Sequence, residues 1–263
     1  MQSITLESET GRKYVVSIDD PKPGLKSSYV FAFARGGSTL LNGMIEAYCN
    51  YVNVPTFSLF NSAFDQGVHT SEIQEDSLKL FKKTGYVYTG FRHFPLFNMD
   101  IKGAPVVWLV RDPRDILVSL YYSILKSHVI PKGLVSLVKS RKATEKTDIN
   151  QFVLNRAKTF NQQFQRYQKM LVSSDLKIYK YEDVIYEKEI WLTDIIAKLG
   201  IEYNPRLVRN IARDFNILPK KENNNKHIRQ VHPGNHTTKL ESQTIQELNK
   251  VLSEFLTCFG YID

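Results

Sequence analysis

The sequence predicts an α/β fold in which helices flank a central parallel sheet within one domain. Three observations carry that expectation. Short apolar runs such as Val106-Val-Trp-Leu-Val110 alternate with stretches of helical periodicity, as strands buried on both faces require. Two of those runs, ending near Ala34 and at Val110, break into a turn that opens a helix, the pattern of βα units. The length of 263 residues, with 42% hydrophobic and 24% charged, suits one large α/β domain with a sizeable core.

The elements follow in order. Residues 1–24 read as a hairpin and connector: Ile4-Thr-Leu-Glu and Tyr14-Val-Val-Ser-Ile flank Glu9-Thr-Gly-Arg12, before the turn Pro21-Lys-Pro-Gly24. The first central strand, Tyr29-Val-Phe-Ala-Phe-Ala, stops at Arg35-Gly36-Gly37-Ser38-Thr39. Leu40, Leu41, Met44, Ile45 and Tyr48 then lie on one face of a helix ending near Asn50. Residues 51–71 form a loop-rich aromatic insertion with a short helix around Asn61 to Gln66, and 71–83 a helix capped by Ser71. Gly85-Tyr-Val-Tyr-Thr-Gly-Phe91 and 104–110 are strands. After the latter, Asp112 caps a helix with Pro113 in its first turn. Residues 131–147, with Lys132, Lys139, Arg141, Lys142 and Lys146, read as a mobile basic excursion or a solvated surface loop. A long helix spans 149–172 and a strand 176–181. Helices cover 187–199 and 204–214, 216–240 is irregular, and one final helix covers 241–258.

Composition narrows the function. The formal net charge of +8 favours an anionic partner. The basic residues are scattered and no nucleic-acid-binding pattern appears, so nucleic acid is not expected. No apolar run is long enough for an integral membrane segment, and the N-terminus lacks a secretory pattern. Cys49 and Cys258 suit a reducing cytoplasm, and no metal site is suggested. Oligomeric state is left open.

Two segments carry anion chemistry. In the first, a strand, two glycines, a hydroxyl pair and a helix N-terminus make a cradle in which backbone amides and the helix dipole face an anion. The glycines are expected to supply positive φ, and Arg35 adds a planar fork suited to phosphate or sulfate oxygens. An ordinary βα turn with a surface arginine is the plain alternative. In the second, Arg111 stands at the carboxyl end of a central strand, where open α/β sheets bind ligands. Ser119 lies seven residues beyond the cap Asp112, close to two helical turns, so Arg111 and Ser119 can converge on one anion. A structural salt bridge is the plain alternative here.

Taken together, these segments resemble the sulfotransferases that use 3′-phosphoadenosine 5′-phosphosulfate (PAPS). Arg35-Gly36-Gly37-Ser38-Thr39 is similar to the family's Lys/Arg-x-Gly-(Ser/Thr)-Thr loop, which holds the 5′-phosphosulfate. Arg111 with Ser119 eight residues on matches the pair that grips the 3′-phosphate. Lys180-Tyr181-Glu182-Asp183 resembles the family's Tyr-Glu-Asp, whose tyrosine lies at the adenine. Asp214-Phe215-Asn216 resembles a segment whose Phe stacks there. His227-Ile-Arg229 and Pro233-Gly234 resemble the loop that closes over the 3′-phosphate, with Gln230-Val231 in place of the usual Lys-Gly. His93 matches the family's His-x-Pro base. The family often has Lys two residues earlier, where this chain has Phe91; adjacent Arg92 points elsewhere if the strand continues.

The resemblance implies a P-loop-NTPase-like sulfotransferase fold and transfer of a sulfuryl group from PAPS to a small acceptor, with PAP as product and no metal. The acceptor would be anionic or apolar, and present a hydroxyl or, as second choice, an amine. Arg35 and His93 would be catalytic. Gly36, Gly37, Ser38, Thr39, Leu40, Arg111, Ser119, Tyr181, Phe215 and Arg229, with Arg35, would bind the donor. Phe57, Phe60, Phe64, Phe94 and Phe97, together with His69 and Asp65, are candidates for the acceptor pocket or for core and surface. His232 and His236 are expected at the surface. Two rivals remain: a P-loop metabolite kinase, disfavoured by the missing Lys-Ser pair, and a non-catalytic nucleotide-binding relative, motivated by Gln230-Val231.

Overall fold

In the computed structural model, which describes residues 2–93, 97–127, 135–219 and 230–262, an antiparallel hairpin precedes five parallel strands. Strands β1 (Gln2–Glu7) and β2 (Lys13–Ile18) pair in the hairpin, burying Leu6, Tyr14 and Val16. The Gln66 side chain both accepts from the Val15 amide (2.9 Å) and donates to its carbonyl (2.7 Å) along the outer side of β2.

Strand β3 (Ser28–Ala32) leads into α1 (Ser38–Tyr51), followed by β4 (Thr56–Phe57) and α2 (Leu59–Asp65). Then come β5 (Val87–Phe91), β6 (Pro105–Val110) and α3 (Pro113–Tyr122), which runs on as a π-helical turn over Ser123–Ser127. Helices α4 (Val135–Thr144) and α5 (Ile149–Leu171) precede β7 (Asp175–Lys180) and α6 (Tyr181–Val184). The chain closes with α7 (Lys188–Lys198), α8 (Pro205–Asp214), α9 (His236–Lys239), α10 (Ser242–Val251) and α11 (Ser253–Cys258).

The sheet order is β4-β5-β3-β6-β7. From β3 the chain leaves toward β4, whereas from β6 it leaves toward β7. The carboxyl ends of β3 and β6 therefore flank a topological switch point, the crevice where such sheets bind ligands. Alternate side chains of each strand feed two cores. Tyr29, Phe31 and Trp108 pack with α5 and α11 on one face. Val30, Ala32 and Leu109 pack with α1, α7 and α8 on the other. Full burial of such side chains contributes about 1.5–3 kcal/mol each.

Strand β5 carries a bulge: Tyr29 pairs with Tyr88 but Phe31 pairs with Phe91, so β5 holds one residue more than β3 across that step. Gly90 sits in the bulge at φ +82°. The insertion returns Phe91 to the face of Tyr88, where it stacks on Phe31 at 4.5 Å. Arg92 is thereby turned away from that core. The amide of Arg92 donates to the Gly90 carbonyl (2.8 Å), and its carbonyl accepts from the Ala34 amide (3.0 Å).

Several local expectations are corrected. Residues 71–83 are not an α-helix but two 3-10 turns, Thr70–Glu72 and Glu75–Leu80. Ile73 is extended because it bridges Ser8, while the Glu72 carbonyl accepts from Glu9; this pairing outweighs local helix preference. His69, not Ser71, caps the first turn. Two-residue β4 was too short to show periodicity. The basic excursion is helical over Val135–Thr144, and Lys132 lies outside the described residues. The final helix is broken at Leu252 (φ −101°, ψ 11°).

A Cβ added at Gly90 would lie 2.0 Å from Ser58 Oγ, on a backbone that disfavours L side chains. Gly90→Ala is therefore expected to destabilise the protein by about 1–3 kcal/mol, read as a lower urea midpoint at unchanged m.

Candidate active site

The turn from β3 into α1 is built on two left-handed residues, Arg35 (φ +67°) and Gly37 (φ +97°). The two glycines were expected to share that role; Gly36 does not, and the positive φ falls on Arg35 instead. Left-handed backbone costs a non-glycine residue about 1–2 kcal/mol. The bonds Gly36 amide to Phe33 carbonyl (2.9 Å) and Ala34 amide to Arg92 carbonyl hold the turn. Gly37 also lacks room for a side chain, because a Cβ would meet the Tyr181 ring at 2.8 Å. As the cap of α1 it offers no side-chain oxygen to the first-turn amides. Those amides and the positive end of the helix dipole belong to residues lining one cavity of about 520 Å³.

The second arm comes from β6 and α3. Arg111, 6% exposed, donates through Nη1 to the Arg35 carbonyl (3.4 Å), and its guanidinium lies 4.3 Å over the Tyr181 ring. Ser119 Oγ accepts from Arg35 Nε at 3.3 Å. The two predicted anion segments thus meet, with Arg111 and Ser119 both touching Arg35. The Nε of Arg111 is buried with no hydrogen-bond partner. Asp112 caps α3 as expected, accepting from the Arg114 amide (2.9 Å) and pairing with the Arg114 guanidinium (2.6 Å). Glu182 serves as scaffold: it accepts from the Asp112 amide (3.0 Å) and the Tyr261 hydroxyl (2.7 Å).

Sequence reasoning missed Asp115. Its fully buried carboxylate lies 3.6 Å from Arg111 Nη2. It accepts from the amides of Gly234 (2.7 Å) and His236 (2.9 Å), and lies 2.7 Å from His236 Nδ1. Burial alone would raise its pKa. The His236 hydrogen bonds and the Arg111 charge outweigh burial and hold the carboxyl below the ordinary carboxylate range. His236, expected at the surface, is 6% exposed because this carboxylate draws it inward. The i,i+4 spacing of Arg111 and Asp115 was the one available signal.

His93 follows β5, is exposed, and lines the cavity. So does Arg92, which the bulge turns there against the expected direction; burial, opposed by Glu46 and Asp65, lowers its pKa. Tyr181 and Phe215 line another wall with Lys188 and Val231. The Tyr181 hydroxyl donates to the Val231 carbonyl (2.8 Å), and the Phe215 ring covers Gly43, where a Cβ would lie 2.7 Å away. Arg229 and Phe94 lie outside the described residues. Phe60, Phe64 and His69 line the cavity, whereas Phe57 and Phe97 are buried elsewhere in the core and Asp65 is exposed. His232 is exposed as expected, 2.7 Å from the Tyr186 hydroxyl. Lys188, Leu137 of α4 and Arg156 of α5 line the cavity without any motif announcing them. Among the described residues, no cluster of three or more His, Cys, Asp or Glu side chains could hold a metal, and no helix is long and apolar enough to cross a membrane.

The sequence model of the family described as "Sulfotransferase domain" matches residues 27–247. A search of curated proteins returns no match. Among solved structures, a mouse sulfotransferase complexed with PAP is similar at 13% identity and TM-score 0.55, covering 88% of this chain and 84% of the other. Retinol dehydratase in complex with androsterone and inactive cofactor PAP is similar at 13% identity and TM-score 0.56, covering 88% and 80%. At these identities the likeness is one of fold.

Asp115 supplies a test of the buried network. Its folded pKa lies below the unfolded value near 3.9. Its contribution is therefore complete above about pH 4 and lost as pH falls through the folded value. Urea melts should show Asp115→Asn less stable than wild type by about 3 kcal/mol at pH 7, a gap that narrows below pH 4.

Proposed function

The chain belongs to the sulfotransferase family, and we propose that it moves a sulfuryl group from PAPS to a hydroxyl, or as second choice an amine, of a small acceptor. The observation that carries this reading is the junction of the two anion segments: Arg35 Nε on Ser119 Oγ and Arg111 on the Arg35 carbonyl, 84 and 76 residues apart in sequence, on one cavity. Structural relatives crystallised with PAP support the choice of nucleotide.

The residues present suit that group. Arg111 Nε is a buried donor without a partner, and the first turn of α1 has amides that no side chain caps. When bound, the donor supplies an activated sulfuryl group at one end and a 3′-phosphate at the other. Arg35, Gly36, Gly37, Ser38, Thr39 and Leu40 hold the phosphosulfate. Arg111 and Ser119 hold the 3′-phosphate, with Arg229 as a further contact. Tyr181 and Phe215 flank the adenine. Arg35 and the α1 terminus offer fixed positive potential to the charge that builds on the leaving phosphate. His93 takes the proton of the acceptor as it attacks in line, the general-base work to which an imidazole is suited.

Transfer of labelled sulfate from PAPS into a panel of hydroxyl acceptors tests the chemistry. Arg35→Ala is expected to lower transfer about 10²–10³-fold with little change in the urea midpoint, and His93→Ala about 10²–10⁴-fold at neutral pH. Wild-type turnover in either variant removes that residue from its role. In thermal melts, PAP without metal should stabilise the protein more than ATP with magnesium; the reverse order favours a metabolite kinase. Tight PAP binding with no transfer to any acceptor favours a non-catalytic relative, the reading that Gln230-Val231 motivates.

A further inference from the structure

The charged side chains lining the cavity are Arg35, Arg92, Arg111, Arg156 and Lys188; among the described residues no Asp or Glu joins them. Arg35 and Arg111 are committed to each other and to the donor's anions, and Lys188 is held by the Ile185 carbonyl and Asn216 Oδ1 on the wall of Tyr181 and Phe215. Arg92 and Arg156 are left over.

Arg92 is the more informative of the two. The β5 bulge directs it into the cavity, and its backbone is tied to Gly90 on one side and Ala34 on the other, so its position is set by the sheet. Its guanidinium makes no ion pair or hydrogen bond among the described residues, and Nε is buried without a partner. Burial makes this charge costly, and the acids that act on it, Glu46 and Asp65, do so from beyond ion-pair distance. Glu46 Oε1 instead accepts from the Thr89 hydroxyl at 2.7 Å. A half-buried arginine whose Nε is buried without a partner can be completed by an anion from outside. Gly90, two residues before Arg92, lies against Ser58 and Asn61 at the start of α2, and that helix presents Phe60 and Phe64 to the same cavity as Arg92. Arg156 adds a second, exposed cation where α5 meets α4, its Nη2 3.4 Å from Ser140 Oγ.

We propose that the acceptor is itself an anion: a hydroxylated compound with an apolar or aromatic body, whose carboxylate or equivalent oxyanion is received by Arg92 while His93, the next residue, serves its hydroxyl. The inference rests on the sulfotransferase reading above. It makes Arg92 a specificity-determining residue, with Phe60, Phe64, Ile124 and Leu137 as apolar walls and Arg156 at the rim.

The test uses matched pairs of hydroxylated aromatic carboxylates and their methyl esters, such as 4-hydroxyphenylacetate and its ester. Each is titrated calorimetrically into the full chain saturated with PAP. The carboxylate of at least one pair should bind at least tenfold more tightly than its ester. Arg92→Gln should reduce that ratio at least tenfold, and Arg92→Lys should restore part of it. Equal or tighter binding of every ester overturns the inference while PAP binding leaves the sulfotransferase reading intact. A ratio unchanged in Arg92→Gln also overturns it, as does an equal loss for both partners of a pair, which would assign Arg92 to the transferring group instead. Failure of PAP to bind removes the donor reading, and this inference with it.

Discussion

Arg111 and Asp115 place opposite charges inside the protein, where neither is stable without the other. A carboxylate so deeply placed needs its oxygens filled, and Asp115 fills them with the Gly234 and His236 amides, the His236 ring and Arg111. That fixes the Arg111 guanidinium, which supports the Arg35 carbonyl and lies against Tyr181; Tyr181 in turn closes the space beside Gly37. The shape of the turn between β3 and α1 is thus set from behind by one carboxylate in α3. The segment after residue 230 is tied to the same group, so the wall formed by Val231 and the anchor formed by Arg111 are mechanically one unit.

A second constraint divides the cavity chemically. One extra residue in β5 inverts which side chains reach the core and which reach the cavity. Phe91 joins the aromatic stack and Arg92 takes the ligand side. The cavity is consequently flanked by arginines from two neighbouring strand ends, β3 and β5, rather than by one charged loop. Separating the positive charge this way puts two guanidiniums at different places along one cavity wall.

What the sequence could reveal follows the range of the interactions involved. The turn from β3 into α1 and the Arg111 to Ser119 string were legible as structure because each is one strand, one turn and one helix in adjacent letters. The parallel sheet was legible for the same reason. The Asp115 and His236 contact joins residues 121 apart and leaves no local trace. The direction of Arg92 depended on a register shift between β3 and β5 that alternation of side chains cannot express. Residues 71–83 look helical, but the pairing of Ile73 with Ser8 is a tertiary bond between distant segments. Helix α4 escaped notice because its charged residues are distributed around it without a clear apolar face.

The hairpin ahead of the sheet has a consequence for association. A two-stranded ribbon leaves an outer row of main-chain donors and acceptors, and Val15 beside that row is exposed. Such edges template the addition of strands from other molecules. Here the amide of Gln66, reaching across from α2, occupies both the N–H and the C=O of Val15. A single side chain thereby imitates the missing neighbour strand and blunts the middle of the edge against intermolecular β-pairing.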